Sequence, residues 1–268
     1  MRLLTVTGLA HRFERSGVSS LSEPIQAIGN LDLHLEAGEF VSIVGPSGCG
    51  KSTLLKILAE LIEPSEGHIS CSQAGGSLRE FVSYMPQTDS LLPWLRVRQN
   101  ALLGARIAGV DVQNAEREFD RLTDQFGLRG FENAWPAQLS GGMRQRLALM
   151  RTFLMPQEIM LFDEPFGSLD AITRREMHQW LQSVWTETNR SGLLVTHDVE
   201  EALFLSDRVY VMTGRPGRMH DEIDVNFVRP RTVQLSTDPQ FVTMKSRLLE
   251  SLEVGMTSAQ SDYPEQSA

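Results

Sequence analysis

The nonapeptide GPSGCGKST at 45–53 gathers three glycines, one lysine and three hydroxyl side chains. It fits G-x-x-x-x-G-K-[ST] in full, with the apolar run FVSIV before it and the helix-spaced STLLKILAELI after it. Gly45, Gly48 and Gly50 allow backbone conformations that other residues resist, so that successive N–H groups can turn inward around phosphate oxygens. The helix that follows adds the positive end of its dipole. Lys51 supplies a cation for β- and γ-phosphates, and the Ser52 hydroxyl offers a ligand to Mg²⁺.

Such a loop serves kinases, GTPases and motor ATPases alike, so a second, acidic site is needed to narrow the chemistry. IMLFDEP at 159–165 supplies it: four apolar residues predict a buried strand whose C-terminal end is where open α/β sheets bind ligands. Successive strand side chains face opposite ways, which assigns Asp163 and Glu164 different tasks. Asp163 suits Mg²⁺, directly or through water. Glu164 suits a general base that poises an attacking water. His197, in GLLVTHD, ends another apolar strand, a position that raises its standing above that of an ordinary structural histidine. Gln87, after SYMP, sits where a strand gives way to helices, and its neutral amide could touch both Mg²⁺ and the attacking water.

A second anion site is written into LSGGMRQRLALMRTFLMP at 139–156. Ser140 is a good N-cap, Met143, Leu147, Met150 and Leu154 share one helical face, and Pro156 follows the end. Free N–H groups at a glycine-rich helix start bind anions. One chain thus carries two phosphate-binding elements far apart in sequence.

These residues need elements to hold them. Apolar and polar residues alternate from Leu3 to Phe13 and through Leu31, Leu33 and Leu35, predicting half-buried antiparallel strands. EAGE at 36–39 and EPSEG at 63–67 are turns, and GHISCS and EFVSYMPQ are short strands. From about Asp89 to Met155 the pattern becomes helical, with amphipathic pieces such as VQNAEREFDRLTDQFGL. Strand and helix then alternate through EIMLFDEP, AITRREMHQWLQSVWTETN, GLLVTHD, VEEALFLSD and RVYVMTG, the pattern of an α/β sheet with buried central strands. The polar, aperiodic end MTSAQSDYPEQSA reads as a disordered tail. With a net charge of −9 and no basic stripe, no nucleic-acid partner is expected. Two isolated cysteines, Cys49 and Cys71, suit a reducing compartment, and no apolar run is long enough to span a bilayer.

Taken in order, Phe13, the loop at 45–53, Gln87, LSGGM, the acidic strand at 159–164, SLD at 168–170 and His197 resemble the ATP-binding subunit of ABC transporters over roughly residues 1–230. The resemblance implies a P-loop NTPase (RecA-like) α/β core with an antiparallel β edge subdomain, 1–88 and 156–230. It also implies an inserted α-helical signature subdomain, 89–155, and a C-terminal extension, 231–268. All of Gly45, Pro46, Ser47, Gly48, Cys49, Gly50, Lys51, Ser52 and Thr53 then belong to the ATP-binding set. Mg²⁺ falls to Ser52, Gln87 and Asp163, and Glu164, Gln87 and His197 form the catalytic group, with His197 holding the γ-phosphate. Phe13 would stack on adenine where the family more often has tyrosine. Met143 replaces the usual glutamine of LSGGQ, while Ser140, Gly141 and Gly142 are intact.

By the family pattern two cassettes pair head to tail as a homodimer. Ser140, Gly141 and Gly142 of one close over ATP in the other, and Asp170 joins the two sites across the interface. Integral membrane permease subunits would dock near Gln87 and DSLLPWLRV, on Leu91, Leu92 and Trp94, with a solute-binding protein engaged indirectly. The chain would then lie peripherally at the cytoplasmic face of the inner membrane. MPQTDSLLPWLRV, LSGGMRQR, LFDEPFGSLDAITR and RPGR at 215–218 are similar to the importer subgroup for nitrate, sulfonates, taurine and thiamine-precursor pyrimidines. Two other classes stand beside a transport ATPase. A soluble ABC ATPase of DNA repair or translation would usually show two cassettes or a long coiled-coil insertion. A P-loop kinase or GTPase would lack the signature helix.

Overall fold

The computed structural model describes residues 1–14, 24–72, 77–186 and 190–261. Four short, largely apolar runs become the deepest strands. FVSIV forms β3 (Phe40–Val44), with every residue buried, and the same is true of β6 (Ile159–Asp163), β7 (Ser191–Thr196) and β8 (Arg208–Met212). Strands buried on both faces have no polar side to alternate with, which is why they read as near-continuous apolar runs. With β5 (Val82–Met85) and β9 (Met219–Asp224) they make a six-stranded sheet ordered β5-β6-β7-β3-β8-β9. All neighbours pair in parallel except β9, which runs antiparallel to β8.

A second, antiparallel sheet comprises β2 (Ile25–Glu36), β1 (Arg2–Phe13) and β4 (Glu66–Cys71), in that order. Its alternating residues Leu4, Val6, Leu31, Leu33 and Leu35 face one apolar cluster with Val41, Ile43 and Leu161 of the main sheet. Helix α1 (Lys51–Leu58) is clamped in that cluster by Leu54, Leu55, Ile57 and Leu58. The opposite face of the main sheet, through Phe40, Met85 and Phe162, shares its core with α2 (Val97–Ile107), α3 (Val112–Gln125), α4 (Gly141–Phe153) and α5 (Ala171–Trp185). The helical segment expected from Asp89 onward is therefore fused to the sheet through one continuous core.

Two elements differ from the sequence reading. MHDEID forms β9 although only Met219 and Ile223 are apolar, because pairing with β8 supplies its backbone partners. The polar stretch from Met256, expected to be a disordered tail, is helical as far as Ser261, the last turns of α7 (Pro239–Ser261). Residues 262–268 lie outside the described residues. Helix α7 is held because Phe241 and Leu248 are buried against α6 (Val199–Leu205) and β8 and β9, with Leu203, Val209 and Ile223 among their cluster. Just before it, the buried Arg231 donates to the carbonyls of Leu203, Phe204 and Ser206, satisfying the end of α6. Burial pulls its guanidinium down to about 10, with Arg229 adding to the shift and Asp207 opposing it.

Phe241→Ala should lower the unfolding free energy by about 3 kcal/mol, the usual cost of truncating a buried aromatic ring. Chemical denaturation of the full chain measures it. A loss below about 1 kcal/mol would mean that α7 packs too loosely to be part of the core.

Candidate functional site

Because the parallel strands run the same way, the residues that follow β3, β5, β6 and β7 all emerge at one edge of the sheet. From β3 comes the glycine loop. Helix α1 begins at Gly50, whose φ of 109° places it in the left-handed region, and no side chain caps the helix start. A β-carbon at Gly50 would lie 2.8 Å from the Ala27 carbonyl oxygen, so β2 can cross this close only over glycine. The N–H groups of the first turn thus remain available to an anion. Lys51 is buried, and its ammonium donates to the Gly45 and Pro46 carbonyls at 2.7 and 2.9 Å. Those bonds hold the cation inside the loop.

From β6 come the acids, and they do part company. Asp163 ends the strand buried, one carboxylate oxygen accepting from Ser52 Oγ at 2.8 Å and the other from Tyr84 Oη at 3.2 Å. Burial raises its pKa, and the Ser52 and Tyr84 hydrogen bonds oppose the rise. Glu164 leaves the strand with a φ of 48°, a left-handed conformation unusual for a residue with a β-carbon. Its own N–H donates to the Val195 carbonyl at 2.9 Å, and its carbonyl accepts from Gly167 at 3.2 Å. These backbone bonds hold the turn that swings the carboxylate away from Asp163. The carboxylate meets Gln87 Nε2 at 3.2 Å and His197 Nδ1 at 3.3 Å.

Gln87 from the end of β5, Glu164 from β6 and His197 from β7 are thereby brought together. Phe13, 41% exposed at the end of β1, lines a cleft of about 450 Å³. Ser47, Gly48, Gly50, Lys51, Ser52 and Thr53 floor the cleft, with Gln87 and Glu164 beside them. Gly45, Pro46 and Cys49 stand behind the floor as its frame. A ring, phosphate-binding amides and a carboxylate held by an amide and an imidazole suit a nucleotide and the hydrolysis of its terminal phosphate.

The second anion element stands apart from that cleft. Ser140 caps α4, its Oγ accepting from Met143 N at 3.2 Å, and Gly141 follows it, exposed. Asp170 caps α5, accepting from Ile172 and Thr173 N at 3.1 Å each. A hydrogen bond from the Thr173 side chain, helped by those from the Thr173 and Ile172 N–H groups, holds its carboxyl below the usual carboxylate range. A β-carbon on Gly142 would touch Leu169 at 3.4 Å, so the two caps lie side by side. Ser140, Gly141, Gly142 and Asp170 contribute nothing to the lining of the Phe13–Lys51 cleft.

Two residues at the site escaped the sequence reading. Tyr84 reaches Asp163 only because β5 pairs with β6, opposite Leu161. Arg215 lines the cleft from the hairpin between β8 and β9. Its RPGR run is visible in the sequence, but its contact with the loop depends on the β8–β9 turn.

The family model described as "ABC transporter" matches residues 28–167. An aliphatic sulfonates import ATP-binding protein of Rhodococcus jostii is 44% identical, covering 93% of this chain and 93% of its own. A nitrate import ATP-binding protein of Synechocystis is 38% identical, covering 88% and 92%. Among solved structures, a dimeric ATP-binding cassette in a post-hydrolysis state with ADP and Pi superposes at a TM-score of 0.74 with 26% identity, covering 84% of this chain and all of that one.

The loop cysteine tests how tightly the floor of the cleft is closed. Cys49 is 1% exposed, and burial pushes its thiol up, with the Lys51 ammonium opposing. A higher pKa leaves less reactive thiolate at neutral pH. A maleimide at pH 7.5 should therefore label the partly exposed Cys71 and spare Cys49 in the native chain, as read by peptide mass. Labelling of Cys49 as fast as in the denatured chain would contradict this closure.

Proposed function

The chain belongs to the ABC transporter family, and on that basis we propose that it is the ATP-hydrolysing subunit of a membrane importer for a small solute. The solute would be of the nitrate, sulfonate, taurine or thiamine-precursor type. One observation carries the reading. The phosphate loop shares a cleft with Gln87 and Glu164, and His197 pairs with Glu164 from just outside it, while the caps at Ser140 and Asp170 share a different, exposed face of the same chain. Each half lacks what the other offers, so a second copy packed head to tail completes both.

In this reading Phe13 stacks on adenine, and the loop amides with Lys51 and Thr53 bind the phosphates. Glu164 orients and deprotonates the attacking water, and His197 holds the γ-phosphate as Glu164 works. The donors present fit Mg²⁺. The Ser52 hydroxyl and Asp163 carboxylate, 2.8 Å apart, are hard oxygen donors. Among the described residues no trio of His, Cys, Asp or Glu forms a closed cage. That suits an ion whose shell is completed by substrate phosphates and water, with Gln87 in reach. When bound, Mg²⁺ neutralises charge developing between the β- and γ-phosphates.

Gln87 also begins the segment that would meet the permease. Buried Asn100 fixes that segment, accepting from Leu92 N and donating to the carbonyls of Leu92 and Leu95. Arg151 donates to the carbonyls of Asp89 and Ser90, and Arg144 pairs with Asp89. On this rigid platform Trp94 stands 67% exposed, with Leu91 and Leu92 beside it in sequence, half-buried. A large exposed aromatic on a fixed backbone is a good anchor for a partner. Among the described residues no helix is long and apolar enough to cross a membrane. In the proposed reading the permease contact holds the chain peripherally, on the cytoplasmic side. A solute-binding protein would act on it only through that permease.

Glu164→Gln should retain ATP binding, lose at least about 100-fold in turnover and accumulate an ATP-bound dimer in size-exclusion chromatography. Near-native hydrolysis with the permease present would refute the base assignment. Trp94→Ala combined with Leu91→Ala should keep the ATPase of the free chain but lose co-purification with a permease in detergent. Undiminished co-purification would move the docking surface elsewhere.

A further inference from the structure

The hairpin tip between β8 and β9 is built to lie against the phosphate loop. Thr213 closes it, its N–H donating to the Arg218 carbonyl and its Oγ1 accepting from Arg218 N, both at 2.9 Å. The tip is then pinned to β2: Gly217 N donates to the Ala27 carbonyl and Gly29 N to the Gly217 carbonyl, each at 3.0 Å. A β-carbon on Gly217 would sit 2.1 Å from the Cys49 carbonyl oxygen, so only glycine permits this approach. From the pinned tip Arg215 extends, exposed, with Nε and Nη2 donating to the Gly48 carbonyl at 3.3 and 3.2 Å.

Those two bonds hold the guanidinium beside the phosphate loop and leave most of its donors unused. Arginine presents about five N–H donors in a fixed fork suited to phosphate oxygens. Among the described residues that line the cleft, the cations are Lys51 and Arg215, and the carboxylate is Glu164. Lys51 and Glu164 cancel in charge, and Lys51 already spends two bonds on the loop. A triphosphate brings several negative charges into this space. Arg215 is the cation in the lining that Glu164 does not offset.

Resting on the reading of this cleft as the ATP site, we infer that Arg215 is a second cationic contact to the phosphate tail of ATP, delivered by the β8–β9 hairpin from outside the phosphate loop. Its exposure sets the scale. A charge-assisted bond in open solvent is modest and screened by salt.

Titration calorimetry on the full chain with ATP and Mg²⁺ tests this, together with displacement of a fluorescent ATP analogue by AMP. Arg215→Ala should weaken ATP about fivefold, leave AMP within about twofold, and lose most of its effect between about 0.05 and 0.5 M salt. Arg215→Lys should recover part of the loss, since the charge returns without the fork. An equal loss for ATP and AMP would put the guanidinium on the nucleoside and overturn the assignment. Unchanged ATP affinity in Arg215→Ala, alongside a clear loss in Lys51→Ala, would overturn the role of Arg215 alone. Unchanged affinity in both variants would instead remove ATP from the cleft, and the wider reading would fail with it.

Discussion

Everything at the site depends on the burial of β3 between two parallel neighbours. Val41, Ile43 and Val44 are fully buried, and the strand pairs with β7 on one side and β8 on the other. A strand with no solvent face cannot slip by one residue without exchanging its two apolar faces, and both faces here are committed to cores. Its end is therefore fixed relative to the ends of β6 and β7. That register sets the phosphate loop beside Asp163 and sets Glu164 beside His197, residues that no local interaction could bring together.

The same constraint decides how the two acids differ. Alternation along a strand separates their side chains in principle, but the structure goes further by taking Glu164 out of the strand altogether at φ 48°. A residue held in the left-handed region costs on the order of 1 kcal/mol or more and persists only where its surroundings determine it. Here the bond from Glu164 N to Val195 continues the β6–β7 ladder up to the turn, so the sheet itself supports the strained residue. Asp163 stays behind in the buried end of the strand with Ser52 and Tyr84, where a fixed carboxylate suits an ion, and Glu164 is freed toward the open cleft.

The sequence carried this arrangement unevenly, and the reasons are physical. FVSIV and IMLFD were legible because double-sided burial leaves an unbroken apolar run. Ser140 was legible because capping is a local bond, closed within three residues. The strand β9 was not, because its hold comes from β8 and not from its own apolar pattern. Polar residues near the end of α7 obscured the helix because Phe241 and Leu248 anchor it many residues earlier. Tyr84 and Arg215 share the same difficulty: each acts on a residue that only the tertiary fold brings near.

On the proposed reading, coupling to a membrane partner would follow from how little separates the chemistry from the surface. Gln87 donates to the Glu164 carboxylate by a single, exposed hydrogen bond, a contact that another acceptor in the cleft can replace. Two residues further on, Asp89 is tied to α4 through Arg144 and Arg151, so the backbone after Gln87 is bound to the helix whose start carries Ser140, Gly141 and Gly142. On the proposed reading, any shift of Gln87 toward substrate must pull against α4 as well as against the platform that carries Trp94. The signature helix and the docking surface would then move as one body. On that reading, closure of a second copy over the phosphates and displacement of the permease would be two ends of the same rigid element.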